Sequence, residues 1–384
     1  MKTIKYILSI VLLAGWMFSC DNPEDFQDVL YFTGTDVTPV IKYSLEEPTK
    51  IGLSVRASSK VDENIKIGVK VNPDLVEKYN ETNGTSYKVL SSDVYTFDSE
   101  MAVINKDQYA SDPFYLDIKS IDSFKDEDTY CLPVEMTGVQ EGGLPILESS
   151  RVMYLIINRT IITKAAILNG TYFSVDFRQT PELAAVSQVT MEARVYLDDY
   201  QNSNPYISTV MGLEENFLLR LGDVKIPKDY FQLAGGGYPV ASTEAIPLNK
   251  WVHLAATYDG SRISIYIDGR LNAYTDAPRG AINLHGTSDN RQFYIGTTSN
   301  STGRTLKGKI SEARVWTRAL TEIEIANNMC AVSADSPDLL AYWKFNTWKD
   351  DTNKNIVVDY TGHGYDAVLK SYKGISWIEG VRCP

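Results

Sequence analysis

From Val189 to Leu197 apolar and polar side chains alternate without a break. Val189, Met191, Ala193, Val195 and Leu197 fall on one side, Thr190, Glu192, Arg194 and Tyr196 on the other. A helix turns roughly 100° per residue and would smear this pattern round its circumference, whereas a strand throws successive side chains to opposite faces. The stretch is therefore committed to a strand with one dry face. Downstream, Trp251-Val252-His253-Leu254-Ala255-Ala256-Thr257-Tyr258 runs into Asp259-Gly260, and Ile263-Ser264-Ile265-Tyr266-Ile267 into Asp268-Gly269. Asp-Gly pairs supply the positive-φ residues of tight hairpins, so three strands of one meander are expected. Strand pattern returns at 309–316 and 339–345, and upstream at 29–32, 51–55, 65–71, 114–118 and 152–157.

Only two helices are expected. Asn72 serves as N-cap of the first, Pro73 occupies its first position and Asn83-Gly84 closes it. Thr321 caps the second, Glu324 completes a capping box, and Leu320 with Ile325 forms the hydrophobic staple. Many short strands with so little helix give an all-β fold. A hinge near 159–164 divides it into an N-terminal β-sandwich, 29–159, and a second unit, 160–384. No repeat of 20–50 residues is present.

A composition of 43% hydrophobic and 22% charged residues is that of a folded globular chain. The formal charge of −12, with no basic run, argues against nucleic acid and anionic lipid as partners and is neutral toward uncharged sugars. Lys2 and Lys5 precede thirteen mostly apolar residues, Tyr6 to Phe18, which suits an export leader and is too short to span a bilayer. Of the four cysteines, Cys131 reads as a buried small apolar residue, and Cys330 and Cys383 form a candidate disulfide in an oxidising compartment. No cysteine pair has zinc-ligand spacing, and His253, His285 and His363 are far apart.

Ser19-Cys20, closing the apolar run, resembles the bacterial lipoprotein signal. The resemblance implies a signal peptide at 1–19, lipidation of Cys20, and a membrane contact made through the lipid anchor alone. Residues 20–28 then form an acidic tether, in which Asp21, Glu24 and Asp25 resemble tags that send such lipoproteins to the outer face of the outer membrane. Val71-Asn72-Pro73-Asp74-Leu75-Val76-Glu77-Lys78-Tyr79-Asn80, Tyr87 and Tyr130-Cys131-Leu132-Pro133-Val134 resemble an N-terminal domain of surface lipoproteins. That resemblance implies an immunoglobulin-like sandwich of unknown chemistry.

The second unit resembles the laminin-G-like, concanavalin A-like jelly roll of lectins and glucanases. The likeness is carried by Trp251-Val252-His253-Leu254-Ala255, Ile265-Tyr266-Ile267-Asp268-Gly269, Phe293-Tyr294-Ile295-Gly296, Lys309-Ile310-Ser311-Glu312-Ala313-Arg314-Val315-Trp316 and Leu340-Ala341-Tyr342-Trp343-Lys344-Phe345. It implies poly- or oligosaccharide binding, in a polysaccharide-utilisation system with an outer-membrane transporter as a further partner. Sugars offer one apolar face and a rim of hydroxyls, so aromatic rings flanked by amides and forked donors are expected to hold them. The candidates are Tyr200, Tyr206, Tyr230, Tyr238 and Trp348 in loop-like stretches, with Arg220 and Arg291. Asp359, in Asp359-Tyr360-Thr361-Gly362-His363-Gly364, is the candidate ligand of a structural calcium ion, with a turn-capping carboxylate as the alternative.

Glycan hydrolysis needs two carboxylates projecting into one cleft. No strand carries acids at i and i+2, and no nucleophile motif is present, so a non-catalytic binding role is expected. Binding of a protein, as adhesin or assembly subunit, is the alternative that the jelly-roll resemblance leaves open. Gly235-Gly236-Gly237 lacks the Lys-Ser/Thr of a phosphate cradle and reads as a flexible turn, and His253 as a core or rim residue.

Overall fold

The alternating stretch becomes the strand Val189–Asp199, held antiparallel between Trp251–Tyr258 and Lys307–Trp316 in an eight-stranded sheet. The computed structural model describes residues 27–286, 291–298, 302–370 and 374–383. The expected leader, Cys20, Asp21, Glu24 and Asp25 lie outside the described residues. Asp28, assigned to the tether, is instead fastened to the first domain: its carboxylate accepts from the Ser58 and Ser59 hydroxyls at 2.7 and 2.5 Å. Among the described residues no helix is long and apolar enough to cross a membrane.

The expected meander is formed by Trp251–Tyr258, Arg262–Ile267 and Arg270–Asp276. Asp268 and Gly269 both take positive φ, 47° and 78°, as a two-residue hairpin turn of this hand requires. A second eight-stranded sheet runs Val240–Ala245, Ile226–Ala234, Phe217–Asp223, Ser208–Leu213, Phe293–Ile295, Phe173–Val175, Ala367–Leu369, Ile356–Val357. The dry faces of the two sheets meet. Val189, Met191, Ala193, Val195 and Leu197 pack there with Phe173, Phe293 and Trp343, and each buried Val, Met, Leu or Phe side chain contributes about 1.5–3 kcal/mol.

The outer face of the first sheet is covered as well. The capping box of Thr321 and Glu324 starts the helix Glu322–Asn327, and Leu320 and Ile325 join Trp316, Leu339 and Tyr342 in a satellite core. Beneath it lie charges that alternation assigned to solvent. Glu192 is fully buried, accepts from Trp316 Nε1 at 2.8 Å and faces Arg314 Nε at 3.4 Å. Arg314 in turn donates to the Asn328 carbonyl at 2.7 Å, so the network ties the end of the helix to the sheet.

In the N-terminal domain, Val40–Leu45, Val152–Arg159, Thr129–Glu141, Ile65–Val71 and Met101–Ile104 form a mixed sheet with Lys88–Val89 at its side. A three-stranded sheet, Thr49–Leu53, Phe114–Ile118 and Tyr95–Phe97, closes the sandwich over a core that includes Phe32, Ile67, Leu116 and Leu155. Its helix is Leu75–Asn83, so the N-cap position falls on Asp74, which makes no side-chain cap bond, and Asn72 and Pro73 lie in the turn before it. Asn72 still belongs to the sheet: its backbone N–H bonds the Pro133 carbonyl, and its amide reaches Glu135 at 2.7 Å. Gly84, at φ 62°, ends the helix as expected. Cys131 is buried and free, and burial pushes its thiol up to about 12.

The hinge expected at 159–164 shrinks to Thr160. Val152–Arg159 belongs to the first domain's sheet, and Ile161–Ile167 is already a strand of the jelly roll. That strand pairs with Trp377–Cys383, opposing Ile161 to Cys383, where the disulfide Cys330–Cys383 is formed.

Candidate functional site

On the outer face of the second sheet lies a groove of about 670 Å³. Register places Ile356, Val368, Ser174 and Tyr294 opposite one another, so one cross-strand row makes its floor. Phe173 and Val175 point into the core, which turns Tyr172, Ser174 and Asp176 outward by strand alternation. The same logic turns Gln292 and Tyr294 outward beside Phe293 and Ile295. Tyr172 and Tyr294 meet edge to face with centroids 6.0 Å apart and are only 7% and 2% exposed. They are floor, not free-standing platforms.

Walls of the groove are polar. Arg178 forks onto Asp176 with two bonds of 2.8 Å and holds that carboxyl below the usual aspartate range. Asp366 accepts from Lys349 at 2.7 Å and from the Asp359 N–H at 2.8 Å. Gln179 and Gln292 supply amides that donate and accept at once, and Lys370 closes one end. The lining acids Asp176 and Asp366 are thus each matched by a cation. An apolar strip framed by amides, with its carboxylates already neutralised, suits a polyhydroxylated neutral ligand more than a charged one.

None of the seven expected sugar-binding residues is among those lining this groove. Tyr200 is half-buried against the core, donates to the Ile246 carbonyl at 2.5 Å and has Lys228 over its ring. Tyr206 is 40% exposed, and Tyr230 sits on the strand Ile226–Ala234 rather than in a loop. Arg220, also on a strand, is bound to Asp223 at 2.5 Å, and burial depresses its pKa. Tyr238 packs on the core, and Arg291 pairs with Glu215 at 2.5 Å. Trp348 stacks edge-on against Trp377 at 5.3 Å. Tyr200, Tyr206 and Arg220 are linked through Lys228 and Gly222 on the strands beside them, away from the groove.

Asp359 is 3% exposed, and its two oxygens accept from the N–H groups of Tyr342, Thr361 and Tyr365 and from the Thr361 hydroxyl, at 2.8–3.2 Å. Donor hydrogens converge on this carboxylate, so the residues around it do not fit a calcium ion. Asp359 organises a turn. Gly235, Gly236 and Gly237 all take positive φ, but the turn is packed rather than flexible: a Cβ on Gly236 would fall 2.1 Å from the Arg279 guanidinium carbon.

His253 is buried, with Nε2 3.2 Å from Glu192. Glu312, on the strand beside Glu192, is pushed up by burial and accepts from the Tyr342 hydroxyl at 2.6 Å. These two carboxylates converge on Arg314 from neighbouring strands, an encounter that a search within single strands misses.

A family model for an N-terminal domain matches residues 25–143, and that of the concanavalin A-like lectin/glucanases superfamily matches residues 169–326. Among solved structures, the chain is similar to a candidate carbohydrate binding protein from Bacteroides ovatus, with 26% identity and a TM-score of 0.59. The match covers 91% of this chain and 97% of that one. Domain 4 of an extracellular arabinanase from Geobacillus stearothermophilus, in complex with arabinotriose, matches 42% of this chain and 75% of its own at 19% identity and TM-score 0.32. The CBM40 of a Ruminococcus gnavus IT-sialidase, bound to α2,3-sialyllactose, matches 42% and 94% at 15% identity and TM-score 0.31. No curated protein matches in sequence. The chain is thus a two-domain protein whose second domain is a jelly roll matching the concanavalin A-like lectin/glucanases superfamily over residues 169–326.

Proposed function

We propose that the chain binds a neutral poly- or oligosaccharide in the groove of its second domain, without cleaving it. The observation that carries this reading is the row Ile356, Val368, Ser174 and Tyr294, whose half-buried Ile356 and Val368 offer apolar surface to a sugar's C–H face, in a groove that also holds the amides of Gln179 and Gln292. Likeness to the Bacteroides ovatus protein over nearly the whole chain supports it. Hydrolysis is disfavoured because both lining acids are engaged, Asp366 by Lys349 and Asp176 by Arg178, and Arg178 holds the Asp176 carboxyl below its usual range, which unsuits it as the general acid. The N-terminal sandwich would hold the groove away from a membrane to which Cys20 is lipid-anchored, on the outer face of the outer membrane and next to a polysaccharide transporter.

Affinity electrophoresis of the full chain through gels of plant, host and microbial polysaccharides tests the reading. Retardation by at least one neutral polysaccharide, weakened about tenfold in Kd by Gln292→Ala or Gln179→Ala, is expected. Silence across the panel, or retardation indifferent to both substitutions, would sink it.

A further inference from the structure

The first sheet forks where Lys307–Trp316 changes partners. Ile310 and Lys309 pair with Ala166 and Ile167, whereas from Glu312 onward the strand pairs with Leu339–Lys344. Ser311 sits at the crotch, where the register against Val189–Asp199 slips. Between the diverging strands lies a cavity of about 180 Å³, walled on one side by the Cys330–Cys383 disulfide. It opens past Ile162, Thr163 and Asn346 into a shallower groove of about 460 Å³.

The fork is lined by two cations, Arg194 and Lys344, that flank Glu312 on the neighbouring strands, and among the described residues neither of them forms an ion pair with a carboxylate. Arg194 is 7% exposed, lies over the Trp251 ring at 4.8 Å, and spends one N–H on the Arg382 carbonyl at 2.7 Å. Among the described residues no acid lies within ion-pair distance of it, and burial depresses its pKa. Lys344 likewise has no acidic partner and rests between the rings of Tyr342 and Tyr360 at 5.5 and 5.4 Å. Glu312, the acid in the cavity, is already matched by Arg314 at 3.6 Å and by the Tyr342 hydroxyl, while Asp126 of the first domain stands at the mouth. Glu312 and Asp268 favour the charged Arg194 from a distance, but burial outweighs them; a guanidinium out of water with no carboxylate bonded to it is costly, and a ligand carboxylate would offset that cost.

We propose that this fork is a second binding site, which takes the carboxylate-bearing ring of an acidic sugar such as a uronic acid. Arg194 and Lys344 hold the carboxylate, Ser311 and Asn346 meet hydroxyls, and the cavity admits one ring while the rest of a chain leaves along the shallower groove. Tyr360, 36% exposed at the rim, offers a ring face to that chain. The site lies on the sheet opposite the first groove, so its failure leaves the function proposed above untouched.

Titration calorimetry of the full chain with D-glucuronate and D-galacturonate tests the proposal, with D-glucose and D-galactose as neutral counterparts and acetate and sulfate as bare anions. The uronates should bind about tenfold more tightly than the neutral sugars, and the margin should shrink between about 50 and 500 mM salt. Lys344→Gln should cost about fivefold, and Arg194→Gln more. Should the arginine variant fail to fold, the lysine variant and the salt series still decide. Uronates binding no better than neutral sugars, or equally to wild type and Lys344→Gln, would overturn the site. Acetate or sulfate binding as tightly as uronate would overturn its assignment to a sugar.

Discussion

Replacing Asp359 by alanine is the most direct probe of how the jelly roll is held together. The substitution strips the acceptor from three backbone N–H groups, those of Tyr342, Thr361 and Tyr365, and from the Thr361 hydroxyl. A buried donor left unpaired costs about 1–3 kcal/mol. Thr361 is half-buried and can recover a water, so the loss falls mainly on the N–H groups of the buried Tyr342 and Tyr365. Together they give about 3–5 kcal/mol, and Asp359→Asn, which keeps one oxygen, about half of that. Trp251, Trp316, Trp343, Trp348 and Trp377 all lie in the second domain and only Trp16 lies before the first, so tryptophan fluorescence in urea follows chiefly the jelly roll. A loss below about 1 kcal/mol for Asp359→Ala would refute the reasoning. So would a midpoint that chelator lowers in wild type but not in the variant, because calcium would then be what the carboxylate serves.

Serine at both Cys330 and Cys383 opens a loop of 53 residues, for which chain entropy sets a ceiling of about 4 kcal/mol; a loss of 2–4 kcal/mol by urea titration is expected. Burial alone would raise the Glu324 pKa, but bonds from Arg318 and Thr321 outweigh it and leave the carboxyl below its ordinary value. Its contribution is therefore complete above about pH 4.3 and fades as pH falls through the depressed value, so Glu324→Gln should flatten the acid limb of a stability–pH profile that wild type shows. Gly236→Ala puts a Cβ into the Arg279 guanidinium at φ 63°, and thermal unfolding should report a loss of about 1–3 kcal/mol. Arg178 keeps Asp176 ionised to below the ordinary aspartate range, so neutral-sugar retardation should be level from about pH 8 to 5, and a drop within that window would dismiss the pair as a groove wall.

The fold was legible because its signals are local. Val189 through Leu197 declared their faces by alternation, Asp268-Gly269 its turn, and Thr321 with Glu324 a cap, since each depends on neighbours a few residues away. Asn72 misled because cap chemistry and strand-end chemistry ask for the same amide, and only the position of Glu135 decides between them. The groove was hidden for a different reason. Its floor takes one residue from each of four strands as distant as Ser174 and Val368, and each reads alone as an ordinary outward strand position. Loop aromatics such as Tyr200 and Trp348 looked more exposed than they are, because their rings close the edges of the core. Likewise alternation put Glu192 opposite the dry face, but not under the cover that the residues after Trp316 lay across it.

Ile161 and Cys383 are ladder partners, so the second lobe begins and finishes at one spot. A lobe hung this way behaves as a detachable cassette, which could be transplanted to another stalk, or reopened at an exposed turn, without rethreading its sheets. It also decides where force goes. A pull on the lobe would run through the one covalent link at Thr160, with the ion pair of Arg382 with Glu46 and the contact of Tyr87 with Asn327 as the side-chain ties that must give way first.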